Sequence, residues 1–201
     1  RQRVHPLRSS LDSLSWDGTP RGQDWLTTYL GVEPGDFERA VGTIFLVGAV
    51  KRVRQPGCKL DEMLLLEGPQ GSLKSSAIKA LAVRPEWFSD DLPLGVEARE
   101  VIEKTQGKWL IEASELDGMS RRDTERLKAF LSRSSEMARL AYGRLPVERP
   151  RQFVIFGTTN KEAYLKDHTG NRRYWPVRVG SVDLPLLTRD RDQLWAEASR
   201  L

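Results

Sequence analysis

Three short apolar runs, Met63–Leu66, Trp109–Ile111 and Phe153–Phe156, punctuate a chain whose other hydrophobic residues recur at helical spacing. Runs of this length, unbroken by polar residues, predict strands buried on both faces. Between them the spacing changes. It predicts a helix over Ser75–Ala82 and an amphipathic helix from about Arg121 to Leu131, with Leu127, Phe130 and Leu131 on one side. Buried strands alternating with helices predict an α/β sheet, parallel in its centre. Tyr174–Val179 is expected as an edge strand and Asp190–Leu201 as a helix.

The first sixty residues read differently. Residues 1–20 predict an arm, because Pro6, Ser9, Ser10, Asp17-Gly18-Thr19-Pro20 and Gly22 are turn formers without a sustained period. A short helix is expected from about Asp24 to Leu30. A longer one follows Pro34-Gly35-Asp36 and runs to about Arg54, with Phe37, Val41, Ile44, Phe45, Gly48 and Val53 at helical spacing. Pro56-Gly57 ends it. The expected division is an N-terminal arm and helical segment, 1–60, and a core, 61–201.

Composition narrows the class. The chain has 201 residues, 39% hydrophobic and 30% charged, the profile of a folded globular protein. No run of ~18 apolar residues is present to span a bilayer. No apolar stretch follows Arg1-Gln2-Arg3, so no secretory signal is in view. The missing initial Met and the helical pattern still running at Leu201 lead us to expect part of a longer protein. A single cysteine, Cys58, excludes an internal disulfide, and with only His5 and His168 beside it a Cys/His zinc site is excluded too. A reducing cytoplasmic setting is expected. The net charge of +4 is compatible with nucleic acid without arguing for it.

The chemistry concentrates where strands end. Gly68-Pro69-Gln70-Gly71-Ser72-Leu73-Lys74-Ser75, followed by Ser76, lies between a predicted strand and a predicted helix. A glycine-rich turn there points backbone N–H groups inward, and the helix adds its positive end, which together hold a polyphosphate. Lys74 is expected to reach the β- and γ-phosphates and Ser75 to ligate Mg²⁺. This is a P-loop with one departure: Leu73 stands where glycine normally precedes the lysine. A glycine turn that binds nothing is the plain structural alternative.

A phosphate loop needs an acidic partner for the metal and a group to orient water. Glu112 closes the second apolar run and Glu115 follows. Glu112 is expected at the metal and Glu115 at the water, with the roles open to exchange. Asn160, at the polar end of Phe156-Gly157-Thr158-Thr159-Asn160, is expected to hold the attacking water and sense the γ-phosphate, since ligands of open α/β sheets sit at strand C-termini. Arg172 and Arg173 fit a finger donated to a γ-phosphate. Arg172 is preferred, and a surface stacking pair is the alternative.

Together these residues resemble the virulence-associated protein E family, phage- and island-borne proteins with a P-loop ATPase domain like that of superfamily 3 helicases. The markers are Leu14-Ser15-Trp16-Asp17-Gly18, Glu67-Gly68-Pro69-Gln70-Gly71, Gly107-Lys108-Trp109, Lys128-Ala129-Phe130-Leu131-Ser132, Phe156-Gly157-Thr158-Thr159-Asn160 and Gly170-Asn171-Arg172-Arg173. The resemblance runs from about Leu11 to Leu201. It implies an AAA+-like core, with Lys74 and Ser75 in the Walker A role, Glu112 and Glu115 in the Walker B role, Asn160 as sensor and Arg172 or Arg173 as finger. The implied cofactors are ATP and Mg²⁺.

In superfamily 3 helicases the place of residues 133–144 holds a hairpin that enters a central channel. Arg139, Tyr142 and Arg144 are then expected to contact single-stranded DNA, through phosphates and a stacking ring. A finger that reaches a neighbour's nucleotide makes the interface head-to-tail, and closure gives a ring. A hexamer is the family's expectation. Three functions follow for testing: an ATP-driven DNA helicase or translocase replicating a mobile element, a nucleotide- and DNA-binding assembly module without turnover, and a small-molecule kinase. No acceptor-site motif supports the last.

Overall fold

The computed structural model describes residues 5–114, 116, 119–141, 143–160 and 171–201. Its strands are β1 (Met63–Glu67), β2 (Phe88–Ser89), β3 (Leu110–Ala113), β4 (Ser135–Ala138), β5 (Val147–Pro150), β6 (Val154–Thr159) and β7 (Tyr174–Arg178). Five of them form one sheet in the order β2-β3-β6-β1-β7, and every pairing in it is parallel. The remaining two, β4 and β5, pair as a separate antiparallel hairpin. The helices are α1 (Pro6–Asp12), α2 (Trp25–Leu30), α3 (Asp36–Arg54), α4 (Lys74–Leu81), α5 (Ala98–Thr105), α6 (Arg121–Leu131) and α7 (Leu184–Ala198).

Consecutive strand residues face opposite sides of a sheet, so an unbroken apolar run fills two cores at once. Leu64, Leu66, Leu110, Val154, Phe156 and Val177 join the larger core, with residues of α1, α2, α3, α4 and α7. Met63, Leu65, Ile111, Ala113, Ile155 and Tyr174 join the smaller one, with Val101 of α5 and Leu127, Phe130 and Leu131 of α6. Helices thus flank both faces. Leu7, Trp25 and Phe45 belong to the same core as Leu64 and Trp195, so the N-terminal helices are packed on the sheet itself.

Tryptophans tie the larger core together. The Trp109 and Trp195 rings lie 4.3 Å apart between centroids. Trp109 Nε1 donates to Ala49 O of α3, and Trp195 Nε1 donates to Leu81 O at the end of α4. Arg191 Nη1 donates to Ala80 O beside it. The last carbonyls of a helix lack partners within it. Here α7 supplies one for Leu81 O and adds a second donor to Ala80 O, which also accepts from Val83 N.

Several elements differ from the sequence reading. The expected arm contains α1, in which Leu7 and Leu11 are buried one turn apart, His5 Nδ1 accepts from Arg8 N, and Pro6 starts the helix. A seven-residue helix is too short to establish a period. α5 and the two-residue β2 were not expected. α7 begins at Leu184, well before Asp190, because Asp183 caps it through Leu186 N and Pro185 sits in its first turn. On α3, Val41, Phe45 and Val53 are buried as expected, but Phe37 and Ile44 are 47% and 44% exposed. Among the described residues, no helix is long and apolar enough to cross a membrane.

Candidate functional site

The C-terminal ends of β1, β3 and β6 are neighbours in the sheet, and polar residues begin where each leaves the core. After β1 comes the glycine loop. Gly68 N donates to Thr159 O, which fastens the loop's start to the end of β6. Gly71 has φ +83°, a left-handed backbone that glycine adopts without strain. The loop then enters α4, whose first residue is Lys74.

Lys74 is only 7% exposed. Its ammonium donates to Gly68 O at 2.7 Å, Pro69 O at 2.9 Å, Ser72 Oγ at 3.1 Å and Asn160 Oδ1 at 3.3 Å. Burial lowers its pKa below the ordinary 10.5, because water no longer solvates the charge, while the negative Glu112 acts in the opposite sense. Ser75 Oγ donates to Glu112 Oε1 at 2.6 Å. Thr158 Oγ1 donates to the same oxygen, also at 2.6 Å. Gln70, Gly71, Ser72, Ser75, Glu112 and Asn160 are among the residues around an open cleft of about 360 Å³.

The cleft therefore gathers Gln70, Gly71, Ser72, Leu73, Lys74, Ser75, Ser76, Glu112 and Asn160 from the sequence-derived set. Gly68 and Pro69 stand behind it, with their carbonyls on Lys74. Glu115 lies outside the described residues. The sequence reading missed Thr158, Thr159, Ser114 and the role of Ser72. Period two was the available signal for Thr158, since Phe156 and Thr158 fall on one face of β6 and Asn160 follows its end at the same spacing.

Leu73 departs from glycine in a way that geometry makes specific. Its φ is +61°, in the left-handed region, and it is 45% exposed. The backbone there asks for glycine, and a leucine side chain stands at the cleft instead.

Arg172 and Arg173 lie elsewhere. They form a short 3₁₀ turn, 171–173, that leads into β7. Tyr174 pairs with Met63, at the start of β1, whereas the cleft opens beyond Glu67 at its end. At about 3.3 Å per residue that separation is about 13 Å along the strand. The structure thus does not bring either arginine to this chain's own cleft. Arg172 is exposed, and the buried Arg173 Nε has no hydrogen-bond partner among the described residues.

Arg139 and Arg144 are exposed at the tip of the β4–β5 hairpin, where Met137 and Leu145 are 65% and 75% exposed. Tyr142 and Gly170 are outside the described residues. The hairpin's base is anchored by Arg151, which is 3% exposed. Its Nε donates to Glu136 Oε1 at 3.0 Å, its Nη2 donates to the same oxygen, and its Nη1 donates to Phe130 O. Its guanidinium stacks over the Phe130 ring, 4.1 Å from the centroid.

The donor set fits a magnesium–nucleotide complex. Ser75 and Glu112 offer hard oxygens, and Mg²⁺ is held by one or two carboxylates plus substrate phosphates in such sites. Among the described residues no group of three or more His, Cys, Asp or Glu side chains forms a self-sufficient metal cage.

Comparison with solved structures places the fold. The apo A-form of the NrS-1 C-terminal region matches with a TM-score of 0.59 and 13% identity, over 95% of this chain and 48% of that one. A second A-form apo structure of that region, spanning 305–718, matches at 0.58 and 11%, over 95% and 47%. The chain spans about half the length of the solved structures it matches. Among curated proteins none matches. The model of the virulence-associated protein E-like domain covers residues 11–201. Since that match takes in nearly all of the chain, the chain belongs to the virulence-associated protein E-like family.

Proposed function

We propose that this chain is a P-loop ATPase core of the AAA+, superfamily 3 helicase type, serving replication of a phage or other mobile element in the cytoplasm. The observation that carries the reading is the meeting of Lys74, Ser75, Glu112 and Asn160, from three neighbouring strand ends, in one cleft. Family membership and the NrS-1 likeness support a phage-type module.

In this reading the Lys74 ammonium exchanges its bonds to Gly68 O and Pro69 O for the β- and γ-phosphates. The loop's N–H groups and the start of α4 hold the remaining phosphate charge. Ser75 and Glu112 would hold Mg²⁺, which supplies neutralisation of charge on the phosphate oxygens when bound. Asn160 turns its amide to the attacking water, and Glu115 accepts its proton. Arg172 or Arg173 acts on the nucleotide of a neighbouring subunit, which suits their distance from the cleft of their own chain. Arg139, Tyr142 and Arg144 contact single-stranded DNA from the hairpin of a ring, with six subunits as the family expectation.

One observation favours a second reading, a nucleotide- and DNA-binding assembly module with little turnover. It is the left-handed, half-exposed Leu73 beside the catalytic lysine. Multiple-turnover ATP hydrolysis with and without single-stranded DNA, alongside the mass of the assembly, tests both. DNA-stimulated turnover by a ring is expected. Nucleotide binding without turnover supports the second reading, and no nucleotide binding overturns both.

A further inference from the structure

Glu112 is 3% exposed, and a single one of its oxygens accepts two hydroxyls at the same distance. One donor, Ser75, belongs to the glycine loop and the helix that follows it. The other, Thr158, is fixed in β6, the middle strand of the sheet, where it is 6% exposed and paired with Leu66 of β1. A hydroxyl at so buried a position costs free energy unless it is bonded, and valine would fill the same space in a central strand at no such cost. Among the described residues, the Thr158 hydroxyl is bonded only to a carboxylate that faces the cleft.

We propose that Thr158 is a positioning residue for magnesium. Its donation, with that of Ser75, occupies Oε1 and fixes the plane of the carboxylate, which leaves Oε2 as the acceptor for the metal's shell. Two donors from different elements hold the group more firmly than one. Thr158 does so from the rigid side, so Glu112 is aimed before the glycine loop has closed on phosphate. This inference rests on the reading of the cleft as a magnesium–nucleotide site. It adds a residue to which neither the loop motif nor the acidic strand assigns a task.

The experiment is a magnesium titration of the binding of a fluorescent ATP analogue, read by anisotropy, with a parallel measurement in EDTA. Thr158→Val is expected to raise the half-saturating magnesium concentration by about tenfold to a hundredfold, the usual effect of removing a partner of a metal-binding group. Its affinity for the analogue in EDTA stays at the wild-type value. Thr158→Ser restores the wild-type magnesium dependence. Thr158→Cys keeps the volume and weakens the donor, so it falls between and serves if the valine variant does not fold. A magnesium dependence identical in all four proteins overturns the proposal, as does an equal loss of binding with and without metal. A wild-type chain that binds the analogue without regard to magnesium overturns the reading of the cleft as well. The two failures are therefore distinct.

Discussion

Lys74 Nζ and Asn160 Oδ1 lie 3.3 Å apart across 86 positions of sequence. The contact joins the helix after β1 to the tip of β6, the strand beside it. The ammonium is held by the carbonyls of Gly68 and Pro69, by Ser72 Oγ and by Asn160. In the proposed reading, the phosphates that draw Lys74 from its loop carbonyls also free Asn160.

Lys74→Met keeps most of the buried stem and removes the charge. Hydrogen bonds to charged groups contribute about 1.5–3 kcal/mol. The expected result is an ATP affinity lower by about tenfold to a hundredfold, with turnover abolished. Isothermal titration and a hydrolysis assay check it, and unchanged affinity would contradict the role given to the lysine.

Leu73→Gly places glycine where φ is +61°. Relief of a left-handed leucine is worth about 1–2 kcal/mol, and glycine's extra chain entropy takes back about 0.5–1 kcal/mol. The midpoint of thermal unfolding should rise by about 2 °C. If the leucine also restrains chemistry, turnover rises with it. A drop in the midpoint on calorimetry would show that the side chain's packing outweighs the backbone.

Arg151→Met leaves the buried Glu136 at the foot of the hairpin with only the half-exposed Arg133, 3.4 Å from its other oxygen. Breaking one side of a buried pair costs about 3–5 kcal/mol. Urea unfolding should show a loss of that order, much of it recovered when Glu136→Leu is added. A single variant as stable as the wild type would mean that water reaches Glu136.

Arg172→Ala and Arg173→Ala test the finger. Each is expected to keep nucleotide affinity, since neither residue lies at its own chain's cleft. The variant that removes the finger loses hydrolysis. Mixing it with the Lys74→Met protein should restore part of the activity, because a site at the joint between unlike subunits then has an intact lysine and an intact arginine. Mixtures that stay inactive would argue against a shared site.

Much of this architecture is written in the local pattern. Met63–Leu66 and Phe153–Phe156 have no polar residue to turn outward, so they announce strands covered on both faces. The abrupt polarity after Phe156, and Glu112 after Ile111, mark the strand ends where the cleft forms, although Glu112, Thr158 and Thr159 are themselves buried there. What was hidden depends on contacts between distant residues. α5 buries only Val101 and Ile102 among charged neighbours, too thin a stripe to reveal a helix. Phe37 and Ile44 keep helical spacing yet stay half exposed, because spacing gives a face without saying whether anything covers it. Thr158 is an ordinary strand residue until Glu112 is placed beside it. The substitution of glycine by Leu73 is plain in the sequence, but its strained backbone is not.

The caps that α7 places on α4 bear on how the protein is made. Leu81 O receives its donor from Trp195, 114 positions later, and Arg191, 111 positions after Ala80, adds a donor to Ala80 O beside Val83 N. During synthesis the far end of the lysine-bearing helix thus waits for side chains made more than a hundred positions after it. The packing around α4 is finished only once α7 has been made.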